Sequence, residues 1–410
     1  MALIDTFLNR LVKRGTLTLT DHDGSVRSFG TPDPEFRDVA IRFTTRGTGR
    51  YIASHPRLGA AETFMDGRMV IERGDILDLI TLIRKNNPWH KGRDLEIPNP
   101  ARRTLSAAVS RLSRLNWESR SKRNVAHHYD LGNALYELFL DDDLQYSCAY
   151  FTEAGNSLEQ AQEDKKAHIA AKLYLQPGQR VLDIGCGWGG MALYLHRHFD
   201  VDVLGVTLSE EQLALARKRA AEAGVSDRVK FELIDYRHVT GKFDRIVSVG
   251  MFEHVGPPHY REFFRTCHNL LTEDGVMLIH TIGRFGGPGT TDAFTRKYIF
   301  PGGYIPALSE VQAASEQNRL MTTDVETLRV HYALTIRHWY QRCEANRERI
   351  VALYDERFFR MWQFYLAGAI STFEYGGMGN YQFQYAKRRD VLPLTRDYIG
   401  QIEKQGHRTP

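Results

Sequence analysis

The sequence predicts an α/β protein in which a small N-terminal α+β domain precedes a doubly wound parallel sheet. Two observations predict the sheet: apolar segments alternate with helical patterns after residue 124, and the first of these segments runs into a glycine-rich loop. Short segments with alternating apolar residues predict the smaller domain. A chain of 410 residues exceeds one ordinary core, which favours two domains.

Residues 1–90 are predicted to form the α+β domain. Asp23-Gly24 is a hairpin turn signal, and Asn87-Pro88 ends the last helical pattern. This segment contains no group of residues typical of a catalytic site. It would either bind lipid or support the second domain. The predicted elements are a helix over 3–12, strands over 16–21, 25–29 and 39–44, and helices over 53–65 and 76–85.

Residues 91–123 are predicted to be a basic linker. They contain three acidic residues (Asp94, Glu96, Glu118). The run is either a solvated helix or a surface for an anionic partner. No nucleic-acid motif accompanies it, so anionic lipid is favoured over nucleic acid. The nine basic residues are Lys91, Arg93, Arg102, Arg103, Arg111, Arg114, Arg120, Lys122 and Arg123.

The composition is that of a globular protein, with 42% hydrophobic and 25% charged residues. The longest apolar runs fall far short of the roughly 20 residues of a membrane-spanning helix. Asp5, Asn9 and Arg10 interrupt the N-terminal apolar residues, which argues against a secretory signal. The spacing of the four cysteines is not that of a disulfide framework, so a reducing, cytoplasmic location is expected. The histidines lack zinc-ligand spacing, and no metal site is expected.

Residues 124–410 are predicted to form the catalytic domain. In a doubly wound sheet, ligands bind outside the carboxyl ends of the strands, so the chemistry is expected there. The expected strands cover 181–185, 201–207, 229–235, 243–250 and 275–282, and the expected helices 134–140, 158–173, 210–223 and 259–271.

The glycine-rich loop VLDIGCGWGG, residues 181–190, indicates the ligand. A dinucleotide-binding protein would carry an acidic residue after the second strand, where this chain has Val206-Thr207-Leu208-Ser209. Asp183 precedes the loop, where an anion would repel a pyrophosphate but suit the cationic amino-acid end of S-adenosylmethionine. The loop resembles motif I of the class I methyltransferases, which have a Rossmann-like fold.

Several residues around this loop are candidates for cofactor binding. Thr207 and Gln212 offer a hydroxyl and an amide in place of the missing acid. Asp235-Tyr236 ends the third strand, where it would meet the adenine. Trp188 fits either simple packing or the cofactor wall. The full candidate set also includes Gly185, Gly187, Gly189 and Leu208.

Six blocks spread over residues 120–390 resemble the cyclopropane-fatty-acid-phospholipid synthase family. The resemblance implies S-adenosylmethionine as methyl donor, a cis-unsaturated phospholipid as acceptor and bound bicarbonate as base. It adds Tyr146 and Ser147 to the cofactor site and implies that the aromatic residues of 339–375 line an acyl channel. The blocks are NVAHHYDLGNALYELFLDDDLQYSCAYF (124–151), GVTLSEEQ (205–212), SVGMFEHVG (248–256), LIHTIG (278–283), FPGGYIP (300–306) and HYALTIRHW (331–339).

The resemblance also implies which residues hold the bicarbonate. Side-chain and backbone donors would bind the anion, and a glutamate would share its proton. Each residue taken singly also has a structural interpretation, such as a capped loop glutamate, a core histidine or a packed tyrosine. The five residues are Cys148, Glu253, His280, Ile282 and Tyr332.

The resemblance therefore implies a cyclopropane-fatty-acyl-phospholipid synthase, and the longer members of the family suggest a homodimer. The protein is expected to work at the inner face of the membrane. One alternative keeps the methyl transfer but ends in a methyl-branched chain. A small-molecule N- or O-methyltransferase and a non-catalytic lipid-binding protein are more distant alternatives. Residues 376–384 (GGMGNYQFQ) receive no assignment.

Overall fold

The computed structural model describes residues 3–92 and 132–406. Its first part, residues 3–92, contains a four-stranded sheet with strand order β2-β1-β3-β4. The predicted hairpin at Asp23-Gly24 is confirmed, because β1 and β2 pair antiparallel and Gly24 has φ 83°. The elements are α1 (Leu3–Leu11), β1 (Leu17–Thr20), β2 (Val26–Phe29), β3 (Val39–Phe43), α2 (Thr48–Ser54), α3 (Gly59–Met65), β4 (Met69–Arg73) and α4 (Ile76–Asn86).

The single helix predicted over 53–65 is wrong. Helix α2 ends at Ser54, and α3 begins at Gly59. Pro56 lacks a backbone N–H and disfavours helical geometry at the residue before it, so the chain turns between the two helices. Strand β4, which the sequence reasoning did not identify, follows directly after α3.

The second part, residues 132–406, contains a seven-stranded sheet with strand order β10-β11-β9-β8-β5-β6-β7. Its elements are α5 (Asn133–Tyr136), α6 (Leu158–Leu173), β5 (Arg180–Ile184), α7 (Gly190–Phe199), β6 (Asp202–Thr207), α8 (Glu210–Glu222), β7 (Val229–Leu233), β8 (Phe243–Val249), α9 (Tyr260–Leu270), β9 (Leu271–Arg284), α10 (Leu308–Glu316), β10 (Met321–Leu328), α11 (His331–Ala345), α12 (Arg347–Leu353), α13 (Glu356–Tyr375), β11 (Met378–Ala386) and α14 (Asp397–Gly406).

The five predicted strands of the catalytic domain are confirmed as β5 to β9, and they run parallel to one another. Helices cover both faces of this sheet. Val181 packs with the apolar residues of α6, α7 and α8, whereas its neighbour Leu182 packs with those of α9 and α10. Both side chains are fully buried, as expected for a parallel strand that is covered on both sides. The prediction of a doubly wound sheet is confirmed.

Strands β10 and β11 complete the sheet and pair antiparallel. Strand β11 includes residues 378–384 of the segment that received no assignment from the sequence, and it lies between β9 and β10. Strand β10 has the polar sequence MTTDVETL and lies at the sheet edge, so its apolar pattern is weak. The helix predicted over 134–140 is confirmed only over its first residues, because α5 ends at Tyr136.

Internal contacts divide the chain into two compact units. The predicted domain boundaries did not place 291–301 or 336–377 with the N-terminal residues. These two segments belong to the same unit as the N-terminal residues, because α13 packs against α3 and α4. The predicted basic linker falls outside the described residues from residue 93 onward. The first unit is Met1–Ser106, Thr291–Pro301 and Ile336–Gly377, and the second is Ala107–Thr290, Gly302–Thr335 and Met378–Pro410.

The aromatic residues that were expected to line an acyl channel lie in α11 and α13. Trp339, Phe359 and Trp362 are buried among the residues of the first unit. Their role in an acyl channel stays a prediction. Of the helices in the described ranges, none combines the length and apolar character needed to cross a membrane.

Candidate active site

An open cleft lies in the second unit at the carboxyl ends of β5, β6 and β8. Strand order reverses between β5 and β8, which is where doubly wound sheets bind ligands. Every predicted cofactor residue except Gly189 lines the cleft. They are Tyr146, Ser147, Asp183, Gly185, Gly187, Trp188, Thr207, Leu208, Gln212, Asp235 and Tyr236.

The glycine-rich loop forms the floor of the cleft with left-handed backbone angles. Gly185 has φ 83°, and a Cβ added there would lie 2.8 Å from the Cβ of Met251. Gly189 has φ 86° and precedes α7; a Cβ there would lie 2.7 Å from the ring of Phe231. Side chains at these two positions would therefore clash with the packing beneath the loop.

Asp183 is the buried anion of the cleft. Its carboxyl is only 2% exposed, and its Oδ2 has no hydrogen-bond partner within the described part of the chain. Burial raises the pKa of Asp183 to about 7. An unpartnered carboxyl oxygen at the cleft wall suits a cationic group such as the ammonium of S-adenosylmethionine.

Thr207 and Gln212 are linked at the end of β6. The Thr207 hydroxyl donates to Oε1 of Gln212 at 2.9 Å. Because the amide oxygen is engaged, the Gln212 amide can offer its N–H groups to a ligand. Ser209 caps α8 by accepting from the backbone N–H of Gln212, which fixes the start of this helix beside the cleft.

Asp235 is held by Arg237, a cleft residue that the sequence reasoning missed. The guanidinium of Arg237 donates to both carboxylate oxygens, at 2.8 and 2.6 Å. Burial alone would raise the pKa of Asp235, but the hydrogen bonds from Arg237 lower it below its ordinary value. The carboxylate therefore stays ionised and rigid next to Tyr236.

A cluster of aromatic rings lies at the cleft and includes Trp188 of the glycine-rich loop. Tyr136 lies 5.2 Å from the rings of both Tyr146 and Trp188, measured between centroids. Trp188 donates from Nε1 to Oδ1 of Asn133 at 2.9 Å. Trp188 thus has both of the roles that the sequence left open, since it packs in this cluster and also lines the cleft.

Glu253 and Ile282 are brought together by the loop after β8. Oε1 of Glu253 accepts from the backbone N–H of Ile282 at 2.7 Å. Oε2 is buried and has no hydrogen-bond partner among the described residues. Burial raises the pKa of Glu253 to about 7, although the hydrogen bond from Ile282 opposes this shift. The carboxyl group can therefore exchange a proton near neutral pH.

His280 is buried on β9 between two amides of β11. Its Nε2 lies 2.8 Å from Nδ2 of Asn380, and its Nδ1 lies 3.1 Å from Nε2 of Gln382. Burial lowers the pKa of His280 well below its ordinary value, so the ring is neutral and has one donor and one acceptor nitrogen. Oε1 of Gln382 lacks a hydrogen-bond partner in the described chain. If the Gln382 side-chain amide is rotated by 180°, Oε1 faces Nδ1 of His280, and each ring nitrogen then has a suitable partner.

Cys148 and Tyr332 lie on segments that contact each other. The segment after Cys148 docks on the first turn of α11, where Ala149 N donates to Oγ1 of Thr335 at 3.0 Å. Tyr332 lies on the same turn and is 8% exposed. Burial raises the pKa of the Cys148 thiol, so the side chain is a poor nucleophile.

The five residues assigned to bicarbonate all lie in the second unit, but none of them lines the cleft. Cys148 and Glu253 lie directly beside it. Ser147 precedes Cys148 and lines the cleft, as do Met251 and His254 on either side of Glu253. A Cβ added at Gly250 would lie 3.9 Å from the Cβ of Ser147, so these two segments approach each other closely.

The chain is similar over most of its length to known lipid-modifying proteins. The model of the mycolic acid cyclopropane synthetase family matches residues 117–383. The cyclopropane-fatty-acyl-phospholipid synthase of Escherichia coli is 40% identical over 316 residues, which is 77% of this chain and 79% of that protein. The tuberculostearic acid methyltransferase of Mycobacterium tuberculosis is 32% identical over 395 residues, 93% of this chain and 90% of that protein.

Solved structures support the same assignment. The mycolic acid cyclopropane synthase CmaA1, in a crystal structure complexed with SAH and CTAB, superposes with a TM-score of 0.61 at 35% identity. The match covers 64% of this chain and 97% of that one. The chain therefore belongs to the mycolic acid cyclopropane synthetase family and is an S-adenosylmethionine-dependent methyltransferase of the class I fold.

Proposed function

We propose that the protein transfers a methylene group from S-adenosylmethionine to the cis double bond of an unsaturated phospholipid acyl chain. The products are a cyclopropane lipid, S-adenosylhomocysteine and a proton. The observation that carries the proposal is the buried Glu253 carboxyl, which has one unpartnered oxygen and lies between two residues that line the cofactor cleft.

The cofactor residues fit S-adenosylmethionine. Asp183 suits the ammonium of its amino-acid end, and the Gln212 amide offers donors. Asp235 and Tyr236 follow β7 and line the cleft, where they would meet the adenine. When bound, the cofactor supplies an electrophilic methyl group. Tyr146 and Trp188 line the cleft with aromatic rings, which tolerate positive charge.

Ring closure needs a base, because a proton must leave the added methyl carbon as the second carbon–carbon bond forms. Bound bicarbonate would supply that base. Glu253 fits such an anion because its carboxyl, with a pKa raised to about 7, can present a proton from Oε2. Cys148, His280, Ile282 and Tyr332 are proposed as the other members of the site.

His280 would act in this site as a neutral group. Both of its ring nitrogens lie within hydrogen-bonding distance of β11 amides. Ile282 likewise donates its backbone N–H to Glu253. Binding of bicarbonate would therefore exchange partners within an existing network, with Glu253 as the group that has an oxygen to spare.

The protein is proposed to act at a membrane surface as a homodimer in the cytoplasm. The basic run of residues 91–123 is the sequence feature that supports binding to anionic lipid. Flotation with vesicles of dioleoyl phosphatidylglycerol should retain the protein, and vesicles of dioleoyl phosphatidylcholine should retain less. Equal retention by both would contradict the electrostatic attraction.

Sedimentation equilibrium tests the dimer, and a monomer mass at micromolar concentration would contradict it.

The function is tested by incubating the protein with S-adenosylmethionine, bicarbonate and vesicles of dioleoyl phosphatidylglycerol. Mass spectrometry of the acyl chains should show a gain of one methylene. Proton NMR should show upfield cyclopropane signals. A methyl-branched chain would point to the alternative in which a hydride shift replaces ring closure. An unchanged lipid together with methylation of a small amine would point to an N-methyltransferase.

A further inference from the structure

Lys165 is a buried cation beside the cofactor cleft, on helix α6. Its side chain is fully buried. The ammonium donates to Oε1 of Gln145 at 2.5 Å and to Oγ of Ser147 at 2.9 Å. Both acceptors line the cleft, whereas Lys165 itself does not.

The partners of Lys165 are unusual for a buried lysine. Two other buried lysines of the same helix form ion pairs, Lys166 with Asp143 and Lys172 with Glu326. Within the described residues, no carboxylate forms an ion pair with Lys165, and its contacts are neutral oxygens. Asp141 and Asp143 attract this charge without contacting it. The cost of burying a charge whose direct contacts are neutral oxygens favours an anion that binds close to it.

The hydrogen bonds around Lys165 have a fixed direction. Gln145 donates from Nε2 to Asp143 at 2.9 Å, so its oxygen faces the ammonium. Ser147 Oγ accepts from Lys165, so the Ser147 hydroxyl hydrogen must point away from the ammonium. Ser147 lines the cleft and can thus donate to an acceptor within it.

The anion that fits is a carboxylate at the amino-acid end of the cofactor. Asp183 offers a buried carboxyl oxygen to the ammonium of that end, and Ser147 lines the same cleft with an oriented donor. We infer that Lys165 is a positioning residue, which acts through Ser147 to hold the α-carboxylate of S-adenosylmethionine. The inference rests on the binding of this cofactor in the cleft, and not on the identity of the methyl acceptor.

Calorimetry with two ligands tests the inference. The first ligand is S-adenosylhomocysteine, and the second is its analogue without the α-carboxylate. Wild-type protein should prefer S-adenosylhomocysteine by roughly tenfold to hundredfold, the range for hydrogen bonds to a charged group. In Lys165→Met this preference should fall to about threefold or less. A purely structural role would weaken the binding of both ligands equally and leave the preference intact, and that result would overturn the inference.

Lys172→Met is the matched control. Lys172 is a fully buried lysine on the same helix, and it pairs with Glu326, which neither lines the cleft nor contacts Gln145. This variant should keep the wild-type preference for the carboxylate. Loss of the preference in both variants would show a general effect of removing buried charge, and would overturn a specific role for Lys165.

Two measurements do not depend on the folding of Lys165→Met. The wild-type preference must itself exist, and an equal affinity for both ligands overturns the inference. Ser147→Ala should also reduce the preference, and an unchanged preference in this variant overturns the route through Ser147. Failure of the proposed function would give another result than failure of this inference. Lipid would then stay unmodified while the protein still preferred S-adenosylhomocysteine to the analogue.

Discussion

The carboxyl group of Glu253 accepts a hydrogen bond of 2.7 Å from the backbone N–H of Ile282, which joins the loop after β8 to the end of β9. This contact engages one carboxyl oxygen and leaves the other buried without a partner in the described chain. A carboxyl group in this setting holds its proton up to about neutral pH. The proposed chemistry of ring closure depends on this residue.

Glu253→Gln is expected to lower the rate of cyclopropane formation by at least about 100-fold, the range for a group that handles protons. The amide preserves the shape and the contact to Ile282 but cannot exchange a proton. Acyl-chain mass spectrometry measures the rate, and calorimetry with S-adenosylhomocysteine should show unchanged binding. Glu232→Gln, at an exposed position on β7, is the control. If the Glu253→Gln variant were as active as that control, Glu253 would have no role in the mechanism.

Affinity for S-adenosylhomocysteine should depend on pH through Asp183. The pKa of this carboxyl is raised to about 7 by burial, and pairing with the ligand's ammonium favours the ionised form. Binding should therefore weaken as pH falls, by about tenfold for each unit below 7. Calorimetry between pH 8 and pH 6 measures the effect. Asp183→Asn should bind weakly with a flat profile, and the same slope in this variant would contradict the assignment.

The same residue should lower the stability of the protein without ligand. Because the pKa of Asp183 is higher in the folded state than in the unfolded chain, folding becomes less favourable as pH rises from about 4 to 7. Asp183→Asn should therefore raise the Tm more at pH 8 than at pH 5. Scanning calorimetry measures the difference. An equal change at both pH values would show that the raised pKa is absent.

Gly185→Ala is expected to destabilise the protein by more than about 1 kcal/mol, since the position has a positive φ and no room for a Cβ. Gly187→Ala should cost less, because φ is positive there but no atom lies within 4 Å of an added Cβ. Gly155→Ala, with neither constraint, should be close to neutral. Urea unfolding ranks the three variants. Another order would contradict the described loop geometry.

The amides of β11 should keep His280 neutral and in one tautomer. Gln382→Glu places a carboxylate beside Nδ1, which favours the imidazolium and should raise the pKa of His280. Nitrogen-15 NMR of the imidazole ring reports the change directly. Wild-type protein should show a neutral ring at pH 6, and Gln382→Glu a ring that is partly protonated. A charged ring in the wild type would contradict the assigned network.

Particular residues show how far the sequence alone could predict this molecule. The strands β5 to β9 follow from continuous apolar segments, because strands that are buried on both faces have a strong composition signal. Most cofactor residues follow from their positions at or after strand ends, whereas Tyr146 and Ser147 follow from the family resemblance. All but Gly189 line the cleft. Asp183 stands out because an acid precedes a glycine loop.

Other residues could not be found in this way. Lys165 lies in a helix that is buried over most of its length although it contains many charged and polar residues. Such a composition is typical of an exposed helix, so the sequence does not reveal that the ammonium is buried. Arg237 holds Asp235 from two positions further along the chain, and nothing in its sequence spacing marks this role. Asn380 and Gln382 contact His280 across a strand pair separated by 100 residues of chain, and such pairings depend on the tertiary register. Strand β10 is a polar edge strand with little apolar periodicity.

The central claim is that a methylene is added across a cis double bond with closure of a ring. Its most direct test is proton NMR of lipid recovered from vesicles of dioleoyl phosphatidylglycerol after incubation with the protein and S-adenosylmethionine, with and without bicarbonate. Upfield cyclopropane signals should appear as the olefinic signals disappear, and removal of bicarbonate should suppress both changes until it is restored. The account would be contradicted by methyl-branch signals without cyclopropane signals. It would also be contradicted by cyclopropane formation at the same rate with and without bicarbonate.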